Sequence, residues 1–154
     1  MKILLAVDGS IHSDTALAEV AKRPWPAASE IKVITVTDIP VMVGMEPWVV
    51  SPVYFEELDK SIRQAAQKIL SEALTRLKGL ESEAMKITGE VIQGSPREVI
   101  VDKAEEWGAD LIVIGSRGLG AWNRLLLGSV SNAVVQHAKC SVEIVRSPAA
   151  NEKN

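Results

Sequence analysis

The chain has 154 residues, with 17 Lys+Arg against 20 Asp+Glu and a net charge of -3. That length suits one domain, able to bury roughly two-thirds of its unfolded surface without a disulfide or metal staple. The single cysteine, Cys140, excludes an internal disulfide, and the absence of a basic stripe argues against nucleic acid as a partner.

Lys2 to Val7 reads as an apolar first strand ended by Asp8-Gly9-Ser10. It runs into a charge too soon for a signal peptide or membrane span, so a cytoplasmic location and no membrane partner are expected. A helix over about 13–22 puts Ala16, Leu17, Val20 and Ala21 on one face. Ile31 to Thr37 is the second strand. Pro40, Gly44, Pro47 and Pro52 then keep the chain irregular until about Val53, a segment read as a flap or lid. A long helix over 54–78 repeats Leu58, Ile62, Ala65, Ala66, Ile69, Ala73 and Leu77 at three- and four-residue steps and stops at Gly79.

Met85 to Ile92 is the third strand. Ser95-Pro96 opens a third helix and Gly108 closes it. Asp110 to Gly115 is a continuous apolar fourth strand, of the kind buried on both faces of a parallel sheet. A fourth helix opens at about Ser129 with Val130, Ala133, Val134 and Ala138 on helical spacing. Val142 to Val145 is the fifth strand, so the domain spans 1–147 and 148–154 form a loose tail.

Alternating strands and helices predict an α/β fold with parallel strands and helices on both faces. Ligands of such sheets lie at the carboxyl ends of the strands where strand order reverses. If strands one to three spread one way and strands four and five the other, the reversal falls between Asp8, ending strand one, and Gly115, ending strand four.

Gly115, Gly118 and Gly128 bracket a loop between that fourth strand and fourth helix. Without a Cβ they let an anion approach the main chain, and a helix start adds unpaired N–H groups with partial positive charge. The combination is a phosphate site. It is not a P-loop, because Gly120 is followed by Ala121 and Trp122 rather than Lys and Ser or Thr. Nor is it a dinucleotide fingerprint, since Asn123 stands where a third glycine would be needed and the loop follows strand four rather than strand one.

The spacing Gly-x2-Gly-x9-Gly-Ser, together with Val7-Asp-Gly-Ser10 and Gly94-Ser-Pro-Arg-Glu-Val-Ile100, resembles the nucleotide-binding branch of the universal stress protein family across residues 1–146. The resemblance implies an open five-stranded parallel sheet of order 3-2-1-4-5, Rossmann-like and of the adenine nucleotide alpha hydrolase type. It also implies a bound ATP or related adenine nucleotide, with Mg2+ as a common companion, and a homodimer. Carried over, it puts Ala6 and Val7 beside the nucleoside, Asp8 on the ribose and Val36 at the adenine edge. Ile114 and Gly115 would line ribose and base. Gly118, Gly128, Ser129, Val130 and Ser131 would hold phosphates through main-chain N–H groups and the two serine hydroxyls. Asp8 could instead support Mg2+ through water, or be only a helix cap, a role open to Ser10 and Ser13 as well.

Arg117 is a second-tier phosphate ligand. His12 shows no nucleophile pattern, and His137 with Cys140 falls short of a closed metal site. Trp122 with Leu125, Leu126 and Leu127 is an apolar run that either anchors the loop or sets Trp122 beside the nucleotide or a partner, and Pro47-Trp48-Val49-Val50 in the flap suits a dimer surface or an unidentified protein partner. The leading function is a nucleotide-binding stress-response regulator rather than an enzyme, dimerising through strand 141–145. The alternatives are a slow ATPase, an AMP- or cyclic-nucleotide-binding protein, or a dimerisation module without nucleotide. An adenylating ligase fits poorly, because Asp8-Gly-Ser-Ile-His-Ser13 lacks the Ser-Gly-Gly-x-Asp-Ser loop of that class.

Overall fold

A computed structural model describes residues 1–38, 52–80, 85–119 and 127–147, leaving most of the proposed flap, Trp122, Leu125, Leu126 and the 148–154 tail outside the described residues. Its elements are β1 (Lys2–Ala6), α1 (Ile11–Lys22), β2 (Glu30–Thr37), α2 (Pro52–Leu77), a 3-10 turn at Lys78–Leu80, β3 (Lys86–Gln93), α3 (Pro96–Trp107), β4 (Leu111–Gly115), α4 (Ser129–His137) and β5 (Ser141–Val145). The strands pair in parallel in the order β3-β2-β1-β4-β5, as expected.

The alternation of side chains along each strand divides the core in two. Ile3, Leu5, Ile31, Val33, Leu111 and Val113 face α1 and α2, where Leu17, Val20, Leu70, Ala73 and Leu77 cover them. Leu4, Ala6, Ile34, Ile112 and Ile114 face α3 and α4 and meet Ile100, Ala104 and Val134. Both faces of the central strands are therefore dry, which explains the unbroken apolar run Leu111–Gly115.

Two boundaries move for local reasons. α1 begins at Ile11 rather than near residue 13, because the Ser10 side chain caps it, accepting from the Ser13 N–H at 3.2 Å. Ile11 is 72% exposed and outside the apolar stripe, so periodicity does not register this first turn. α4 ends at His137, and Ala138 is its cap rather than a helical residue. Gly108 ends α3 as expected, at φ 68°, a left-handed conformation that glycine adopts without strain.

Candidate functional site

β1, flanked by β2 and β4, sits where strand order reverses, and its carboxyl end opens into a cavity of about 490 Å3. That volume is in the range of small-molecule sites. Ala6, Val7, Asp8, Val36, Ile114, Gly115, Gly118, Gly128, Ser129, Val130 and Ser131, every position nominated from sequence, border it.

The walls differ in chemistry. Ala6, Ile34, Val36, Ile100 and Ile114 make one side apolar, with Pro96 at the start of α3. The other side is the glycine loop and the start of α4. Gly128, the N-cap, has no side chain to satisfy the first-turn N–H groups, and helical bonding starts only with Asn132 N–H to Gly128 O at 2.9 Å. The amides of Ser129, Val130 and Ser131 thus have no acceptor within their helix, and carry the positive end of its dipole. The cavity suits an elongated ligand with a flat apolar end and an anionic end.

Asp8 and Arg117 are the charged residues among the described cavity residues. The Asp8 carboxylate accepts from Ser10 N–H at 3.0 Å through Oδ1 and from Leu119 N–H at 3.2 Å through Oδ2. Since Ser10 supplies the helix cap, Asp8 is not the cap of α1. Its side chain joins β1 to the glycine loop.

The glycines serve the protein as well as the cavity. A Cβ on Gly115 would stand 2.6 Å from the His12 carbonyl carbon and 2.8 Å from the Ser13 amide nitrogen, so the backbone of α1 requires glycine there. A Cβ on Gly118 would meet Asp8 Oδ2 at 2.6 Å, and one on Gly128 would lie 3.1 Å from the Arg117 Cα.

The Ser131 hydroxyl, expected to serve a phosphate, has its Oγ 3.0 Å from both the Ser116 and Gly128 carbonyl oxygens.

Sequence reading missed Ser13, Ile34, Pro96, Ile100, Leu119 and Leu127 as cavity residues. Ile34 was findable, two positions before Val36 and so on the same strand face. Leu119, 79% exposed, carries no local signal. His12 lies outside the cavity residues and pairs through Nδ1 with Ser147 Oγ at 3.0 Å. Among the described residues no cluster of His, Cys, Asp or Glu could hold a metal ion, and burial pushes the Cys140 thiol pKa up. No described helix is long and apolar enough to cross a membrane.

Residues 1–146 match the universal stress protein family. The chain belongs to that family. A universal stress protein of Thermus aquaticus, encoded in the QAH/OAS sulfhydrylase 3' region, is 40% identical over 145 residues, which cover 94% of this chain and 97% of the relative. Among solved structures, the protein MJ0577 superposes with a TM-score of 0.80 at 26% identity, over 97% of each chain. A universal stress protein in complex with cAMP superposes with a TM-score of 0.61 at 25% identity, over 94% of this chain and 95% of the other.

Proposed function

We propose that this universal stress protein is a cytoplasmic adenine-nucleotide-binding regulator, with ATP and its Mg2+ as the working ligand. The observation that carries the reading is the meeting, in one cavity, of an apolar wall with the uncapped first turn of α4. A purine ring suits the wall of Ile34, Val36, Ile100 and Ile114, and phosphates suit the amides of Ser129, Val130 and Ser131 with the close-approaching Gly118 and Gly128. Asp8 supplies carboxylate lone pairs near the ribose position, or an outer-sphere contact to Mg2+. The cAMP complex of a relative supports an adenine mononucleotide and favours AMP or cAMP as the second reading.

Binding, rather than turnover, is the proposed activity, because the sequence offers phosphate donors without a P-loop lysine or a recognisable base. Nucleotide occupancy would bias the glycine loop, a partner surface and a homodimer formed along β5, whose outer edge leaves main-chain groups for a second chain. Mass spectrometry of nucleotide retained through purification, followed by calorimetry with ATP, ADP, AMP and cAMP, tests the reading. An adenine nucleotide bound near stoichiometry supports it; no binding of any of the four refutes it.

A further inference from the structure

Ser131 borders the cavity, yet the residue is only 1% exposed. Its Oγ sits 3.0 Å from the Ser116 carbonyl and 3.0 Å from the Gly128 carbonyl. A serine hydroxyl has one proton to donate, and both carbonyls lie within hydrogen-bond distance of it.

The two carbonyls mark the neck of the glycine loop. Ser116 immediately follows β4, Gly128 immediately precedes α4, and the chain between them leaves and returns. The Gly128 N–H donates to the same Ser116 oxygen at 2.9 Å, so this carbonyl has two donors within reach, that amide and the Ser131 hydroxyl. From the sheet side, the Ser116 N–H donates to Val145 O at 2.8 Å. The neck is thereby fastened to the end of β5 and to the start of α4 together.

We infer that Ser131 is a positioning residue that fixes the distance between the two halves of the site: the apolar half at the end of β4 and the anion-binding amides of α4. The inference rests on the nucleotide reading above for its functional consequence, though not for the fastening itself. A ligand that spans both halves feels this spacing. One confined to the anionic half feels it less.

The test uses the full chain as Ser131→Ala and Ser131→Thr, with folding checked by circular dichroism. In the ligand-free alanine variant, amide hydrogen exchange at Gly128 should rise roughly tenfold, the factor expected from one lost hydrogen bond of ordinary strength. Affinity for ATP should fall by a similar factor, about tenfold. Affinity for inorganic tripolyphosphate should fall less than that for ATP, since that probe does not reach the apolar half. The threonine variant, which keeps the hydroxyl, should restore both exchange and ATP affinity. Unchanged Gly128 exchange in the alanine variant overturns the inference whatever the ligand data. Equal losses for ATP and tripolyphosphate overturn it as well, and make Ser131 a direct phosphate donor. If the wild-type chain binds no nucleotide, the functional reading fails while the exchange measurement still decides the fastening.

Discussion

Asp8 at the end of β1 accepts the main-chain N–H of Leu119 through Oδ2 at 3.2 Å, a bond that crosses 111 positions of sequence and closes the cavity rim. Its other oxygen holds Ser10 N–H at 3.0 Å, so one carboxylate holds both the residue before α1 and Leu119 of the glycine loop. Removing it should loosen the loop and delete the contact proposed for the ribose or metal. Asp8→Ala is expected to weaken ATP binding by about 1–3 kcal/mol in calorimetry. An unchanged dissociation constant would confine Asp8 to loop support in the free protein.

Gly118 belongs to the same relationship. A Cβ there would come within 2.6 Å of Asp8 Oδ2, the end of a side chain that can swing away, so Gly118→Ala should spare the fold while displacing the carboxylate. The melting temperature without ligand should change little, and ATP affinity should drop. In the double variant Asp8→Ala with Gly118→Ala the two losses should not add, because residues sharing one contact couple. Simple additivity would separate the two positions.

Gly115 predicts the opposite division of effects. Its Cβ would meet main-chain atoms of His12 and Ser13 at 2.6 to 2.8 Å, and backbone cannot swing aside. Gly115→Ala should therefore push α1 off β4 and destabilise the fold by about 1–3 kcal/mol, the usual range for overpacking. Urea unfolding with nucleotide absent measures this. A stability equal to wild type would show that α1 adjusts freely.

Arg23, capping α1, grips Glu143 in β5 with two bonds of 2.7 and 2.6 Å. The guanidinium hydrogen bonds hold the Glu143 carboxyl below its ordinary pKa, and the same contact raises that of Arg23. A lowered folded-state pKa means stability that is present above the unfolded value of about 4.3 and is lost as pH falls through the folded one. Glu143→Gln should cost about 1 kcal/mol or less near pH 7, since the pair is a third exposed, and the difference from wild type should vanish in acid. A difference that stays constant down to pH 3, by thermal unfolding, would contradict the pair's role.

The proposed edge pairing of β5 and the proposed lack of turnover share a solution test. Sedimentation at about 50 μM should give a dimer that dissociates on dilution, as mass action requires. A monomer with and without ATP removes the β5 interface. Phosphate release by the isolated protein should stay slower than about 1 per second, and a faster rate would make it an enzyme.

Much of this architecture was legible in the sequence because it rests on repeating local patterns. The dry run Leu111–Gly115, the stripe on α2 and the glycine punctuation around α3 gave the alternation of strands and helices. The strand-reversal rule then set Asp8 beside Gly115. The spacing of Gly115, Gly118, Gly128 and Ser129 likewise picked out one loop and one helix start, and the cavity formed where they meet. A repeat or a motif is a property of neighbours along the chain, so composition and spacing suffice to read it.

What each residue does within that framework was decided by contacts between distant segments. Gly115 reads as room for an anion, but it is also required by the backbone of α1. Asp8 reads as a helix cap or a ribose ligand, yet both its oxygens hold main-chain N–H groups, one of them across the sheet. Ser131 reads as a phosphate donor from spacing, and in the fold its Oγ lies 3.0 Å from the Ser116 and Gly128 carbonyls. Arg23 and Glu143, separated by 120 positions, announce nothing in either local segment. A hydrogen bond depends on angstrom-scale distance and on which partner arrives first at a limited number of protons and lone pairs, and only the folded chain fixes those.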